Sequence, residues 1–389
     1  MTEALKLFIQ QHEHDNIAEL LLRHKEIEGY PVSFVANQLN GRRRAKEKLP
    51  SWYAHPNIIY PPQQNLEQCS SELTAKFKSN FIKNTDPSLN LMIDLTGGFG
   101  VDSFFFSKIF EKVVHVEPDE QLCRLAQEHS IQLETLNIDY SNQNAAQFLS
   151  NFSGTANWIY LDPSRKSNGK KLVKLQDCEP DVIELLPMFW SKASQILIKT
   201  SPLLDIKMGL NQLPHTIIVV VLSVDGECKE VLVHLQKNFS GVPEIQCVNL
   251  KSEIAESFSF NFLQEQQSIS HFSEPLEYLF EPNASILKAG AFKIIGLKYG
   301  LKKLAISTHL YTGDEFIPDF PGRIFKIIGS LSANAKLLSD GKVNIISRNH
   351  PLTPADIKKK FKLKDGGELY LLAFSGETKK FLLIAERLK

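Results

Sequence analysis

Apolar residues in the middle of the chain recur in short runs that alternate with longer stretches of helical periodicity. Between residues 89 and 240, such runs predict β-strands near 91–95, 113–117, 133–138, 158–162, 195–200, 216–223 and 230–235. Helical stretches separate the first five runs, so these strands are expected to be parallel, with crossover helices between them. The last two runs flank Asp225-Gly226, a dipeptide typical of a tight hairpin. The pattern therefore predicts an α/β domain with a doubly wound sheet whose final strand is antiparallel.

The regions on either side have different patterns. Apolar residues at helical spacing, interrupted at Gly29 and Pro31, predict a helical domain at the N-terminus. Near the C-terminus, strand-like runs surround a helix that Thr353 is expected to cap and Pro354 to start. The expected domains are residues 1–88, 89–265, 266–322 and 323–389.

A glycine-rich loop follows the first predicted strand. Asp94 ends the strand, Gly97, Gly98 and Gly100 fill the loop, and a helical pattern follows. Glycines in such a loop allow positive φ angles and let a ligand approach the backbone. The second strand ends in Glu117, 23 residues after Asp94. An acid at that place can accept hydrogen bonds from both hydroxyls of an adenosine ribose, which predicts a nucleotide-type cofactor.

Two cofactors fit this unit. A dinucleotide loop requires a third glycine where Ser103 stands. The loop Asp94-Leu95-Thr96-Gly97-Gly98-Phe99-Gly100 instead resembles the first motif of class I S-adenosylmethionine-dependent methyltransferases, acid-x-Gly-x-Gly-x-Gly, with Thr96 replacing the first glycine. The final hairpin also matches that class, whereas a dinucleotide fold would continue with another parallel strand. A glycine turn that binds nothing is disfavoured, because the two spaced acids and the turn coincide.

The resemblance implies S-adenosylmethionine as cofactor and assigns roles to particular residues. Asp94 would lie near the methionine amino group, and Glu117 would bind the ribose. Asp139, which is expected to end the third strand, or Ile138 beside it, would meet the adenine ring; a simple loop or capping acid is the alternative for Asp139. The loop around the ribose and the amino-acid portion would be formed by Thr96, Gly97, Gly98 and Gly100.

The end of the fourth strand carries the candidate acceptor chemistry. Leu161-Asp162-Pro163-Ser164-Arg165 resembles the Asp-Pro-Pro-x motif of nucleic-acid methyltransferases, which implies catalytic roles for Asp162, Pro163 and Arg165. In that motif the acid and the next carbonyl orient the nucleophile in line with the methyl group. No aromatic residue follows Pro163 to stack on a flipped adenine. The fifth strand end, Lys199-Thr200-Ser201-Pro202, lacks the cysteine of covalent C5-uridine enzymes, so direct transfer is favoured.

Charge is uneven along the chain, although the 44 basic and 44 acidic residues balance overall. Residues 323–389 contain 14 Lys and Arg against 6 Asp and Glu, a net charge of +8. The core of this excess lies at 358–364, and further basic stretches lie at 42–48 and 165–174. Such patches suit a phosphate backbone and predict RNA as a partner, although solvated helix faces have the same composition.

Composition limits the class of protein. At 389 residues and 43% hydrophobic content, the chain is long enough for a large core and several domains. Its five scattered cysteines have no spacing typical of a metal site or a disulfide framework, and its polar start resembles no export signal. No apolar run reaches the roughly 18–20 residues that a membrane span needs. We therefore expect a cytoplasmic protein without a membrane segment or a metal.

Taken together, these motifs resemble bacterial class I methyltransferases with a THUMP-like C-terminal domain. The resemblance extends to Glu281-Pro282-Asn283-Ala284, His309-Leu310-Tyr311-Thr312, Phe320-Pro321-Gly322-Arg323 and Arg348-Asn349-His350-Pro351. It implies a Rossmann-like, seven-stranded methyltransferase fold with an N-terminal helical domain, followed by small ferredoxin-like and THUMP-like α+β modules. The expected function is methylation of a base nitrogen in rRNA or tRNA by direct displacement. The alternatives are a small-molecule methyltransferase and a non-catalytic RNA-binding protein on the same fold.

Overall fold

The structure is a computed structural model that describes residues 1–165, 175–251, 254–338 and 341–389. The chain divides into two compact units. The first unit comprises Met1–Thr216 and Val233–Phe239, and the second comprises Ile217–Leu232 and Ser240–Lys389. The N-terminal helices, the glycine loop and Asp162 therefore all belong to the first unit.

The N-terminal region is helical, as predicted. It consists of α1 (Glu3–Gln11), α2 (Ile17–Arg23), α3 (Val32–Lys48), α4 (Pro50–Tyr53), α5 (Gln63–Gln68) and α6 (Glu72–Thr85), with a small hairpin of β1 (Glu26–Ile27) and β2 (Tyr30–Pro31). Ser71 caps α6 through a hydrogen bond from the Thr74 amide. Trp52, which is 1% exposed, packs with its ring centroid 4.9 Å from that of Phe104, a residue just beyond the glycine loop. The helical region thus packs beside that loop.

The sheet of the first unit is built from strands alternating with helices. In chain order the elements are β3 (Leu91–Asp94), α7 (Val101–Ser107), β4 (Lys112–Val116), α8 (Glu120–Gln132), β5 (Ile138–Ser141), α9 (Ala145–Asn151), β6 (Ala156–Leu161), β7 (Ser164–Arg165), β8 (Cys178–Glu179), α10 (Val182–Lys192), β9 (Ala193–Thr200) and α11 (Ile206–Gln212), with a 3₁₀ turn at Leu175–Asp177. Of these strands, β7 and β8 form a separate two-stranded sheet. The order β9-β6-β3-β4-β5 is parallel at every pairing. This confirms the predicted parallel arrangement.

The third strand was predicted at the wrong place. Residues 133–138 were expected to form it, but β5 begins only at Ile138 and runs to Ser141. The buried side chain of Leu133 belongs to the end of α8 instead, because its amide continues the helical hydrogen bonding to the carbonyl of His129. Glu134 then adopts a φ of 52°, which ends the helix.

Four strands that begin with the hairpin belong mainly to the second unit. They are β10 (Thr216–Val224), β11 (Glu227–Gln236), β12 (Glu244–Lys251) and β13 (Ile254–Phe260), in the order β13-β12-β10-β11. Asp225 and Gly226 have φ angles of 50° and 80°, so both residues of the turn are left-handed, as a type I′ hairpin requires. The last residues of β11, 233–236, belong to the first unit, where β11 is the neighbour of β9. The predicted hairpin is confirmed.

The C-terminal part of the second unit contains α12 (Phe262–Gln267), β14 (Tyr278–Pro282), α13 (Ala284–Ala289), α14 (Ile294–Lys298), β15 (Lys302–Ala305), β16 (Thr308–Gly313), β17 (Gly322–Ser330), α15 (Leu331–Asn334), a 3₁₀ turn at Ala335–Leu338, β18 (Asn344–Arg348), α16 (Pro354–Phe361), β19 (Leu369–Ser375) and β20 (Lys380–Arg387). Thr353 and Asp356 form the capping box of α16, which confirms the predicted helix start. Within the described residues, no helix has both the length and the apolar character of a membrane span.

Strands β14 to β20 form one sheet in the order β15-β16-β14-β17-β20-β19-β18. Apolar side chains from all of them share a single core, which includes Leu279, Leu304, Leu310, Phe325, Ile346, Leu372 and Leu383. The sheet curls so that its two edges approach each other. Asn349, just after β18 at one edge, donates a hydrogen bond of 3.1 Å to Thr308 Oγ1 of β16, which lies near the other edge. The expected ferredoxin-like and THUMP-like modules therefore lie in one continuous sheet.

Candidate functional site

The glycine loop lies between the carboxyl end of β3 and the start of α7. Gly100 has a φ of 86°, a backbone conformation that residues other than glycine rarely adopt. Gly97 has a different requirement: a Cβ atom there would lie 2.2 Å from Cε1 of His115. The imidazole of His115 thus occupies the space beneath the loop, and the loop can pass over it only without a side chain at position 97.

A buried hydrogen-bond chain supports the loop from below. Ser103 Oγ lies 2.6 Å from Asp94 Oδ2 and 3.0 Å from His115 Nδ1. The hydroxyl has one hydrogen, so Ser103 donates to Asp94 while His115, in its Nδ1–H tautomer, donates to Ser103. Burial lowers the pKa of His115 to about 3, which keeps the ring neutral. At the position where a dinucleotide fold would have glycine, Ser103 therefore links Asp94 to His115 through its hydroxyl group.

Asp94 is 1% exposed at the end of β3. Burial raises its pKa to about 7, against the opposing effect of the Ser103 hydrogen bond, and the carboxylates of Asp102 and Asp162 raise it further. A positively charged partner would stabilise the ionised form of this buried carboxylate and lower its pKa.

Glu117 is joined directly to the loop. Its Oε2 accepts a hydrogen bond from the amide of Gly98 at 2.8 Å, and its Oε1 accepts one from the amide of Asp119 at 2.9 Å. Burial raises the pKa of Glu117 in spite of these two bonds. Each carboxylate oxygen has a second lone pair, so the side chain can still accept hydrogen bonds from ligand hydroxyls. The structure thus brings together the loop and the spaced acid that the sequence singled out.

Asp139 does not lie where it was predicted. It is the second residue of β5 rather than the last, and its carboxylate pairs with Lys112 at 2.6 Å on the surface, where the two side chains are 60% and 53% exposed. The carboxyl end of β5 leads instead to Asn142, whose Nδ2 donates to the carbonyl of Glu117 at 2.9 Å. The polar run Ser141-Asn142-Gln143-Asn144 is the signal that could have located this strand end.

Asp162 follows β6 at the same edge of the sheet. Its amide donates a hydrogen bond of 2.6 Å to Thr96 Oγ1. Thr96, which replaces a glycine of the family motif, therefore ties the cofactor loop to the acceptor loop. Pro163 follows and is partly buried. The candidate catalytic acid and the candidate cofactor loop are thus neighbours through one hydrogen bond.

Lys199, near the end of β9, forms an ion pair with Asp162 that the sequence did not reveal. Its Nζ lies 2.5 Å from Asp162 Oδ2, and the lysine and aspartate side chains are 12% and 30% exposed. The two residues are 37 positions apart, but both stand at the carboxyl ends of adjacent parallel strands. Lys199 fixes the orientation of the carboxylate and compensates its charge.

A second ion pair lies buried behind the loop. Lys78 of α6 is 0% exposed, and its Nζ lies 2.9 Å from Asp102 Oδ1. Ser70 and Tyr160 each donate a hydroxyl hydrogen bond to Asp102 Oδ2, at 2.7 and 2.9 Å. Burial by itself would raise the pKa of Asp102, but Lys78 and Lys199 outweigh it and hold the pKa below its usual range. The cluster anchors α6 to the first turn of α7.

Comparisons with known proteins agree with this architecture. A ferredoxin-like domain family matches residues 278–321, and a THUMP domain-like family matches residues 322–387. A crystal structure from Porphyromonas gingivalis W83, described as a "putative methyltransferase", superposes with a TM-score of 0.87 at 29% sequence identity, over 99% of this chain and 98% of that one. The chain therefore has the fold of a class I methyltransferase, with a THUMP-like C-terminal domain.

Other crystal structures align with this chain over less than half its length. One is described as a "putative methyltransferase" from Streptococcus mutans in complex with SAH, with 14% identity, a TM-score of 0.31 and coverage of 42% of this chain and 96% of that one. Another is an rRNA methylase from Streptococcus thermophilus, with 13% identity, a TM-score of 0.32 and coverage of 43% and 98%. No curated protein matches the sequence.

Two basic stretches of the first unit are candidates for phosphate contacts. Arg165 ends the short strand β7, which pairs with β8, but its side chain is outside the described structure. The basic residues at 166–174 also lie outside the described residues. The role of Arg165 therefore stays a prediction.

The other stretch, 42–48, holds the helical region together. Arg42 pairs with the buried Glu13 at 3.0 Å, and Arg44 pairs with Glu67 at 2.5 Å. Arg43 donates to the main-chain carbonyl of Glu13, and Lys48 Nζ donates to that of Leu66 at 2.8 Å. These cations are occupied by contacts within the helical region, which favours a structural role over a phosphate-binding ridge.

Proposed function

We propose that the protein transfers a methyl group from S-adenosylmethionine to a base nitrogen in RNA. One observation carries the proposal: the amide of Asp162 donates to Thr96 Oγ1 at 2.6 Å, so the acceptor motif and the cofactor loop meet at one edge of the sheet. In doubly wound sheets, ligands bind beyond the carboxyl ends of the strands, which is where these residues lie.

The residues present fit this cofactor. Asp94, with its raised pKa, would pair with the methionine ammonium group, and Glu117 would accept hydrogen bonds from the ribose hydroxyls. The loop from Thr96 to Gly100 would pass beside the ribose, and Asn142 replaces Asp139 as the polar side chain at the next strand end. When bound, S-adenosylmethionine supplies an electrophilic methyl group.

Asp162 would act on the acceptor. Its carboxylate would accept a hydrogen bond from the acceptor nitrogen and so direct the nitrogen lone pair toward the methyl group. As the nitrogen forms its bond to the methyl group, the sulfur–methyl bond would break and its electron pair would leave with the thioether, S-adenosylhomocysteine, while the surplus proton of the nitrogen would pass to Asp162. Lys199, 2.5 Å away, holds that carboxylate in one orientation.

RNA is supported as the acceptor by the charge of residues 323–389. On α16 and the residues after it, Lys359, Lys360, Lys362 and Lys364 are exposed, whereas Lys358 pairs with Asp365 at 2.6 Å. A surface of this charge argues against a small-molecule methyltransferase. The retained Asp94, Glu117 and Asp162 argue against a non-catalytic protein.

Replacing Glu117 with alanine is expected to weaken S-adenosylmethionine binding by roughly 1–3 kcal/mol, because charge-assisted hydrogen bonds to the ribose are lost. Isothermal titration calorimetry measures the difference. Glu120→Ala is the matched control, since Glu120 is an exposed acid three residues away that pairs only with Arg124 of its own helix in the described structure. A wild-type protein that binds NAD and no S-adenosylmethionine would refute the cofactor assignment.

The affinity for S-adenosylmethionine is expected to depend on pH through Asp94. The pKa of this carboxyl is raised to about 7, so it is protonated below that pH and cannot pair with the ligand's ammonium group. Affinity should therefore fall about tenfold per pH unit below pH 7 and level off above it, with proton release on binding below pH 7. Calorimetry across this range, with Asp94→Asn as the variant that lacks the titration, checks the assignment. A flat wild-type profile would exclude Asp94 as the ammonium partner.

Neutralising the lysines of α16 is expected to weaken RNA binding for all sequences. Each phosphate that a cation neutralises contributes roughly −0.7 to the log–log slope of affinity against salt for a single strand, so Lys358, Lys359 and Lys360→Ala should flatten that slope by about 0.7 for each phosphate no longer bound. Fluorescence anisotropy at several salt concentrations measures it. The control replaces the exposed Lys25, Lys83 and Lys207. Wild-type slope in the α16 triple variant would assign these lysines to solubility.

A further inference from the structure

The family-like motifs of the second unit converge on one end of its curled sheet. Leu279 of β14, Phe325 of β17 and Ile346 of β18 face the apolar core. Residues two positions apart on a strand share a face, so the next inward positions on these three strands are Glu281, Arg323 and Arg348. The apolar interior therefore ends in a charged cluster, which we call the Arg–Glu–Arg cluster.

Glu281 lies at the centre of this cluster and is 2% exposed. Its Oε1 accepts a hydrogen bond from Arg348 Nε at 2.8 Å and forms an ion pair with Arg348 Nη2 at 2.7 Å. Arg323 Nη2 forms an ion pair with Oε2. The backbone is also tightly set, since a Cβ atom on Gly322 would lie 2.1 Å from the carbonyl oxygen of Glu281. The carboxylate thus orients both guanidinium groups from their inner side.

The cluster has more positive charge than its internal pairing needs. One carboxylate faces two guanidinium groups, which leaves a net charge of +1. The side chains of Arg323 and Arg348 remain 35% and 42% exposed although their partner is buried. Beside it on the chain, Asn283 is 8% exposed, and its amide nitrogen has no hydrogen-bond partner in the described structure. Two exposed guanidinium groups around one buried carboxylate, with an unpartnered buried amide two residues after Glu281 in the described chain, supply donors that suit an anion.

We propose that Arg323 and Arg348 bind a phosphate group on the solvent side of Glu281. Guanidinium groups present planar pairs of N–H donors that match two phosphate oxygens, and a carboxylate that fixes them in advance reduces the entropy lost on binding. The phosphate comes from an RNA backbone or from a free phosphate. Only the RNA source rests on the proposed function.

Arginine-selective ¹⁵N spectra of the full-length wild-type protein test the site directly. Addition of inorganic phosphate should shift the Nε–H resonances of Arg323 and Arg348, which are assigned from the Arg323→Lys and Arg348→Lys variants. A single-stranded RNA oligonucleotide should cause the same shifts if the source is RNA, and only inorganic phosphate should do so if the source is free phosphate. If neither ligand moves these resonances, the proposal is overturned.

A substitution measures the contribution to RNA binding. Arg323→Gln is expected to weaken oligonucleotide affinity about tenfold and to flatten the salt slope by roughly 0.7. Lys326→Gln is the matched control, because Lys326 lies on the same strand, is 48% exposed and pairs on the surface with Glu277 at 3.6 Å. If Arg323→Gln does not fold, Arg323→Lys keeps the charge and should weaken affinity without changing the slope.

The outcomes separate this inference from the proposed function. If Arg323→Gln has the same RNA affinity and salt slope as Lys326→Gln, RNA is excluded as the source of the phosphate. If inorganic phosphate also leaves the arginine resonances unshifted, the proposed site is wrong. Calorimetry with S-adenosylmethionine is an independent readout, since phosphate binding in the second unit does not require the cofactor. A protein that binds phosphate here and no S-adenosylmethionine would retain this inference and lose the proposed reaction.

Discussion

Replacing Asp162 with alanine is expected to reduce methyl transfer by about 10²- to 10⁴-fold while leaving the affinity for S-adenosylmethionine unchanged. The carboxylate would interact with the acceptor nitrogen and its departing proton, both of which belong to the transfer step, whereas its amide bond to Thr96 is made by the backbone and survives the substitution. Transfer of a labelled methyl group to RNA from a strain that lacks the protein measures the rate. Calorimetry measures cofactor affinity.

Asp139→Ala is the matched control for this experiment. Asp139 is an acid of the same sheet, but its side chain is 60% exposed and its pair with Lys112 is on the surface, where an ion pair is worth little. Transfer should be unchanged in that variant. If Asp162→Ala retains wild-type activity, Asp162 has no part in the mechanism; if Asp139→Ala loses cofactor affinity, the reassignment of the third strand end to Asn142 is wrong.

Lys78→Met should lower the free energy of unfolding by about 3–5 kcal/mol, the usual effect of breaking a buried ion pair. The substitution leaves the carboxylate of Asp102 buried without its cation, 2.9 Å from where Lys78 Nζ lay. Chemical denaturation of the full-length protein measures the loss. Because α6 then loses its anchor on α7, which begins directly after the glycine loop, cofactor affinity should also fall.

Lys83→Met separates this effect from a general effect of removing a lysine, because Lys83 is exposed on the same helix. The double variant Lys78→Met with Asp102→Leu should recover part of the stability, since it removes both buried charges together. A Lys78→Met protein as stable as the control would mean that water or another group compensates Asp102 in solution.

Local patterns predicted the fold of the first unit well, because a parallel sheet imposes short apolar runs and its crossovers impose helical periodicity. The one displaced strand, β5, shows the limit: Leu133 is apolar and buried whether it ends a helix or starts a strand, and only its hydrogen bond to His129 distinguishes them. The four domain boundaries predicted from the sequence stay predictions.

The candidate site could be predicted only as far as chain order determines it. Asp94 ends a strand, Glu117 and Asp162 each come directly after one, and the carboxyl ends of parallel strands meet at one edge of the sheet. Lys199 and Lys78 were missed because their partners are distant in sequence, and a lysine in a strand or helix looks the same whether it is paired or solvated. Thr96 looked like a departure from the glycine motif until its bond to Asp162 gave it a role.

The C-terminal sheet constrains which of its segments can be exchanged by recombination. Its two matched segments meet at the pairing of β14 with β17, and side chains from both fill one core. A recombination event after residue 321 would expose Leu279 and Leu310 on one product and Phe325 and Leu372 on the other. We therefore expect neither the ferredoxin-like nor the THUMP-like segment to fold without the other, so that the two would be gained or lost together.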